Sequence, residues 1–184
     1  MIQIKPLNNF YIHSQFPNHN SLKKDLLSKI NNAYGGKVSY DKTSVDIYRC
    51  DWDKRNDDNR EWVQYIAKDL KKHFINCFSE AGYDEAFLID LWYQQYNKNS
   101  QHGWHIHGNN FTGVYYVDLP NNAYKTEYIN PLDKNDIRFF DVQEGDLILF
   151  PSHLVHRAPV VKDDIIKTII SFNLDVGYPD KKGK

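Results

Sequence analysis

The sequence predicts a mainly β fold with flanking helices: an antiparallel jelly roll with two N-terminal helices packed on one of its sheets. Three observations lead there. The 184 residues suffice for one domain with one sizeable core. Two stretches of the first half repeat apolar residues at steps of three and four, as helices lying on another layer do. After Gly82 the pattern changes to short apolar runs separated by turn signals, the signature of sandwiches and barrels. A helical support over 1–82 and a jelly-roll core over 83–176 are expected to form a single domain spanning 1–184.

In chain order, Ile2, Ile4, Phe10 and Ile12 fall at even steps around Pro6, which suits a short edge strand within residues 1–20. Ser21 is placed to cap a helix of about 11 residues, with Leu22, Leu26, Leu27 and Ile30 on one side. Gly35 and Gly36 end it with residues that tolerate left-handed geometry. Residues 37–57 are mixed, with a strand around Val45–Tyr48. The charged segment Asp51–Arg60 has loop composition, and nothing there points to catalysis. From Asn59 to Phe78, Trp62/Val63, Ile66, Leu70, Phe74 and Cys77/Phe78 recur at helical spacing, with Lys68, Asp69, Lys71 and Lys72 on the other side. His73 on this helix reads as a surface or packing residue. Strands follow at Phe87–Tyr96, Trp104–His107, Gly113–Leu119, Glu127–Ile129, Ile137–Phe140, Asp146–Phe150 and Thr168–Leu174. Turns at 97–100, 120–122, 130–131 and 143–145 separate them.

Charge and composition exclude several function classes. Lys and Arg number 23 against 24 Asp and Glu, a formal net charge of −1. The one dense basic cluster is the terminal Lys-Lys-Gly-Lys, so no electrostatic footprint for a duplex is present. No apolar run approaches the roughly 18 residues of a membrane span, and residues 1–10 lack the form of a secretion signal. Cys50 and Cys77 have no paired-motif spacing and read as reduced thiols. A cytoplasmic location, with neither nucleic acid nor membrane as partner, is the expectation.

The chemistry concentrates at Gln101–Val117. His105 and His107, two apart on an extended segment, face one side and can both reach one metal ion, while Trp104 and Ile106 point away. The run Gly145-Asp146-Leu147-Ile148-Leu149-Phe150-Pro151 is a turn, an apolar strand and a proline that ends pairing, which positions His156 as a third imidazole. Between His107 and His156 lie enough residues (156 − 107 = 49) for several strands to leave and return. Lys167 opens a strand on which Lys167, Ile169, Ser171 and Asn173 share a face, so its ammonium can sit deep in the barrel, where it needs an anion. Gln94 shares a face with Trp92 and Tyr96 and can line the cavity. His102, in a polar turn, and His153, just after Pro151, are expected to stand outside the cluster. His13 and His19 read as loop histidines without a role.

These motifs resemble those of the iron(II)- and 2-oxoglutarate-dependent oxygenases built on a double-stranded β-helix, in particular small oxygenases of bacteria and phages related to prolyl hydroxylases. The resemblance spans about residues 88–175. It rests on Leu91-Trp92-Tyr93-Gln94-Gln95-Tyr96, Trp104-His105-Ile106-His107-Gly108, Thr112-Gly113-Val114-Tyr115-Tyr116-Val117, Gly145–Ser152 leading to His156, and Ser171-Phe172-Asn173. It implies His105, His107 and His156 as metal ligands, Lys167 and Tyr116 at the distal carboxylate of 2-oxoglutarate, and Gln94 and Asn173 also around that cosubstrate. The implied cofactors are Fe(2+), 2-oxoglutarate and O2. The implied reaction is hydroxylation of a C–H of a peptidyl, prolyl among others, or small-molecule substrate, with succinate and CO2 as co-products and no catalytic residue beyond the metal ligands.

Two departures stand out. The family's usual His-x-Asp or His-x-Glu is here His-x-His, which leaves a ferrous site one charge unit more positive. Lys167 stands where arginine is commoner, a point charge in place of a bidentate fork. A cupin-like three-histidine metalloprotein needing no 2-oxoglutarate is the alternative, although Phe111 and Thr112 occupy the positions where a cupin would carry its glutamate. A catalytically silent jelly-roll binding module is the third reading. Substrate identity and oligomeric state stay open.

Overall fold

The computed structural model describes residues 9–40 and 44–177. Helix α1 (His19–Asn32) and helix α2 (Glu61–Glu80) precede most of the strands. The strands are β1 (Ile12–Gln15), β2 (Gly36–Tyr40), β3 (Val45–Cys50), β4 (Glu85–Tyr96), β5 (Gln101–His105), β6 (Phe111–Asp118), β7 (Glu127–Asn130), β8 (Asp133–Phe139), β9 (Asp146–Pro151), β10 (His156–Ala158) and β11 (Lys167–Gly177). All pair antiparallel in one curled sheet of order β1-β9-β6-β11-β4-β3-β5-β10-β7-β8, with β2 on β3. This is the jelly-roll architecture expected, with both helices on one side.

Four central strands are buried on both faces, and their alternation sorts the core into two clusters. Leu91 and Tyr93 of β4, Phe111, Tyr115 and Val117 of β6, Leu147 and Leu149 of β9, and Ile170, Phe172 and Leu174 of β11 face the helices. There they meet Leu26 and Ile30 of α1 and Trp62, Val63, Ile66, Leu70, Phe74 and Phe78 of α2. Each such side chain, fully buried, contributes about 2–3 kcal/mol. The intervening residues Trp92, Tyr96, Val114, Tyr116, Ile148, Phe150 and Ile169 fill the inside of the curl. Gly113 sits where β6 is squeezed between neighbours: a Cβ there would overlap the Ile148 carbonyl and the Phe172 ring.

Polar knots tie the helices to the sheet. The Asp51 carboxylate, fully buried, accepts from Arg60 Nη1 at 2.7 Å, Trp62 Nε1 at 3.0 Å and the Tyr93 backbone N–H at 2.8 Å. It thereby fixes the start of α2 against β4. His19 Nδ1 and the Tyr115 hydroxyl lie 2.7 Å apart and join α1 to β6.

Several expectations need correction. Only Ile12–Gln15 of the first segment is a strand; Phe10 precedes it, and Ile2 and Ile4 lie outside the described residues. Helix α1 has 14 residues, because a left-handed Asn18 (φ 58°) after Pro17 starts it at His19. Ser21 is therefore inside the first turn, its hydroxyl donating to the Asn18 carbonyl. His19 is a buried helix residue rather than a loop one, and His13 is on β1, 2.8 Å from Asp146. Neither Gly35 nor Gly36 adopts a positive φ. Gly35 is small because the Tyr93 hydroxyl, donating to the Tyr34 carbonyl, passes where its Cβ would be. Strand β2 was not foreseen. His73 is a packing histidine as expected, 2.8 Å from Ser14 Oγ. Both cysteines are buried free thiols. Among the described residues no helix is long and apolar enough to cross a membrane.

Candidate active site

The site forms where β5, β10 and the loop after β5 meet. His105 and His156 are directly paired across β5 and β10, so their side chains leave the sheet side by side. His107 lies two residues beyond the end of β5 rather than within it. Its backbone N–H donates to the Ser152 carbonyl at 2.9 Å, and the Ser152 N–H donates to the Asn110 carbonyl at 3.1 Å, which ties that loop to the segment leading into His156. The three imidazoles offer ligand atoms that all lie within 4.8 Å of one another.

Their protonation suits a cation. His105 Nδ1 is 2.7 Å from the Gly103 carbonyl and His156 Nδ1 is 2.8 Å from the Leu154 carbonyl. A carbonyl can only accept, so Nδ1 carries the proton in each ring and Nε2 keeps its lone pair for the cluster. Burial lowers all three pKa values; His107, with the neighbouring charge of His105 adding to burial, falls to about 4, and His156 falls well below its usual range. At neutral pH the cluster is uncharged and open to a divalent ion without displacing protons.

Two cavities adjoin the cluster. The inner one, about 30 Å³, runs into the curl and is lined by Gln94, Tyr96, Thr126, Arg157, Ile169 and Ser171 among others. The outer one, about 250 Å³, opens between the cluster and the β2–β3 hairpin.

The residues expected around a cosubstrate distribute unevenly. Gln94 is on the wall of both cavities; its Oε1 accepts from Ser171 Oγ at 3.0 Å. Lys167 is 1% exposed on the inward face of β11, donates to the Tyr124 carbonyl at 2.7 Å, and lies 5.1 Å from the Tyr96 ring and 5.9 Å from the Tyr116 ring. No carboxylate pairs with it among the described residues, and burial lowers its pKa to about 7. It stands behind Tyr96 rather than on the wall itself. Tyr116 is likewise behind the wall, its hydroxyl donating to Thr126 Oγ1 at 2.7 Å. Asn173 supports His107 from outside: Nδ2 donates to Asp90 at 2.9 Å, while its buried oxygen lacks a well-formed partner and favours a proton on the His107 ring.

Sequence reasoning missed two features. His102, expected in a turn outside the cluster, is on β5 and lines both cavities, its ring stacked on His105 at 3.9 Å. A bulge explains it: His105 and His102 face His156 and Ala158, three residues against two, so His102 swings to the face of His105. Burial, with the charges of His105 and His107, lowers its pKa to about 3. The second is the outer wall from residues 38–40 and 45–52, a region that looked functionally silent. His153 is 3.2 Å from Asn9 Nδ2, away from the cluster as expected.

Residues 90–173 match the sequence model of a family described as "Putative 2OG-Fe(II) oxygenase". No curated protein matches the chain. Among solved structures, a prolyl hydroxylase of Trichoplax adhaerens in complex with a hypoxia inducible factor peptide fragment has a TM-score of 0.65 at 15% identity, over 90% of this chain and 83% of that one. A 2OG-Fe(II) oxygenase family oxidoreductase of Burkholderia pseudomallei reaches 0.68 at 14%, over 91% and 87%. HygX of Streptomyces hygroscopicus, with nickel and 2-oxoglutarate bound, reaches 0.64 at 10%, over 94% and 84%. Identities this low speak for the fold; the family match speaks for the chemistry, and its span contains the three histidines and Lys167. Residues 90–173 thus resemble the 2OG-Fe(II) oxygenases in sequence, and the chain as a whole shares the fold of solved members of that family.

Proposed function

We propose that this chain is a dioxygenase that hydroxylates a C–H bond of a peptidyl substrate, prolyl residues included, or of a small molecule, with succinate and CO2 as co-products. One observation carries the reading: three neutral imidazoles converge at the mouth of a curl whose interior buries the Lys167 amine, with no carboxylate beside it among the described residues. A buried charge without a counter-charge is costly, and a dicarboxylate held at the cluster by one end would meet it with the other. The same observation favours this reading over a three-histidine cupin, which has no use for a buried cation.

The donor set fits a divalent first-row ion, for which imidazole is a common ligand. When bound, iron with 2-oxoglutarate and O2 supplies the oxidising power that converts C–H to C–OH. The chain's own residues bind and orient. His105, His107 and His156 present three nitrogens from one side, two of them locked by backbone carbonyls. From behind Tyr96, Lys167 supplies the positive charge toward the far carboxylate, the Tyr96 and Tyr116 rings keep water from it, and Gln94 shapes the wall. Asn173 holds His107 in place of a direct cosubstrate contact. With His107 where a carboxylate is usual, the loaded site carries extra positive charge, which an anionic cosubstrate offsets. The peptide complex of the Trichoplax hydroxylase favours a peptidyl substrate. The free thiols agree with a cytoplasmic location, and the two core clusters sharing one sheet agree with a single domain.

The test is succinate formation. The purified chain, given Fe(II), ascorbate, 2-oxoglutarate and air, is expected to form succinate slowly even without substrate, and His156→Ala is expected not to. Equal succinate from wild type and His156→Ala, or none from an iron-loaded wild type, contradicts the proposal.

A further inference from the structure

We propose that the outer cavity is the substrate pocket and that it selects an uncharged, largely apolar group, an aliphatic or ring side chain, through the β2–β3 hairpin. This rests on the oxygenase reading for its reaction, but not for its binding chemistry. The cavity ends on His105 and His107, so whatever fills it lies beside the cluster. Its other walls are mostly apolar, Val38, Val45, Ile47, Trp52, Trp92 and Ile106, with the uncharged polar groups of Gln94 and His102 at the cluster end. No Asp, Glu, Lys or Arg lines it, among the described residues.

Among the described residues, the charges nearby are paired. Arg55 lies over the Trp52 ring at 4.3 Å and reaches Asp90 at 3.3 Å, Asp51 is enclosed by Arg60 and Trp62, and Asp46 pairs with Lys37 at 3.0 Å. Cys50, also on the wall, is a buried neutral thiol whose pKa is pushed up to about 12. A charged substrate group entering here would give up its hydration with nothing to replace it, whereas an apolar group gains from burial. Trp52 and Trp92 meet edge to face at 4.4 Å and form a stiff aromatic corner suited to a ring or branched chain. The rim is apolar too: Tyr40, Ile106 and Trp52 are 62%, 57% and 40% exposed, surface that a bound substrate would cover.

The hairpin side of this wall, Val38, Tyr40, Val45, Ile47, Cys50 and Trp52, lies outside the segment 90–173 that matches the family, whereas the cluster lies within it.

The experiment needs neither metal nor turnover. The metal-free protein is titrated with N-acetyl-prolinamide, N-acetyl-leucinamide, N-acetyl-lysinamide, N-acetyl-aspartamide and cyclopentanol, reading the emission of the wall tryptophans and protein NMR shifts. The neutral apolar amides are expected to bind at least roughly tenfold more tightly than the lysine and aspartate amides. Val38→Asp, and independently Val45→Asp, is expected to reverse the order in favour of the lysine amide, with a thermal melt confirming that each variant is folded. Cyclopentanol binding as well as the amides would identify a free small molecule as the source of the apolar group; weaker binding would identify a peptide. Charged amides binding as tightly as neutral ones, or an order unchanged in both folded variants, overturns the proposal. Succinate formation by wild type, assayed separately, reports on the oxygenase reading alone, so failure of either is recognisable.

Discussion

The two cavities that meet at the histidine cluster are built in opposite ways. The inner one, about 30 Å³, is enclosed by strands buried on both faces, with Lys167 fixed behind Tyr96 by a carbonyl and two rings. The outer one, about 250 Å³, is bounded by a hairpin whose β2 strand is mostly exposed and pairs only with β3. The difference teaches where each kind of recognition is kept. A cosubstrate that never changes can be recognised by core residues whose replacement would cost stability. A substrate that distinguishes one enzyme from another is met by side chains that the fold can spare.

That contrast breaks most visibly in stability. Phe172, fully buried between β11 and α2, packs against Phe74 with ring centroids 4.6 Å apart and the planes tilted. Phe172→Ala is expected to cost about 3–5 kcal/mol in chemical denaturation. Val38→Ala on the hairpin is expected to cost less than about 1 kcal/mol. Equal losses would mean that the hairpin is as much a part of the core as the central strands.

Lys167 sharpens the comparison from the inner side. Lys167→Met is expected to weaken 2-oxoglutarate binding by roughly 100-fold while leaving ferrous uptake intact, because an ammonium–carboxylate contact is lost and no nitrogen of the cluster moves. Isothermal titration of each ligand checks this. The melting temperature of the metal-free variant is expected not to fall, since a buried unpaired cation is replaced by an apolar chain of similar length.

A smaller effect follows with pH. Burial lowers Lys167 to about 7, below its unfolded value, so the folded protein binds fewer protons than the unfolded chain above that pH. Its burial therefore penalises stability fully below pH 7, and the penalty is relieved as pH rises from 7 toward the unfolded value. Binding of the 2-oxoglutarate dianion reverses the preference. Below pH 7 the ammonium is already present and affinity is flat with respect to this group; above it a proton must be taken up, and affinity falls by about tenfold per unit. Titrations between pH 6 and 9 should show this slope in wild type and none in Lys167→Met.

The same contrast explains what could be read in the sequence. The central strands and α2 were legible because residues buried on one or two faces keep a strict period, as Trp62, Ile66, Leu70 and Phe74 do. The triad His105, His107 and His156 was legible because its spacing and the Gly145–Pro151 run are local. Strand β2 was not, since its exposed residues carry no alternation, and so the substrate wall was invisible. His102 was misplaced because a bulge, set by pairing with β10, shifts parity within β5. Asn173 and Tyr116 share faces with the cavity but spend their polar atoms on Asp90 and Thr126, partners distant in sequence.

The measurement that tests the account most directly is an anaerobic titration of the metal-free protein with ferrous iron and then 2-oxoglutarate, followed in the visible range. One equivalent of iron, followed by a weak charge-transfer band on adding 2-oxoglutarate that is lost in His156→Ala and weakened in Lys167→Met, is the result expected. Iron uptake with no band at saturating 2-oxoglutarate would contradict the account and leave the three histidines as a metal site of another chemistry.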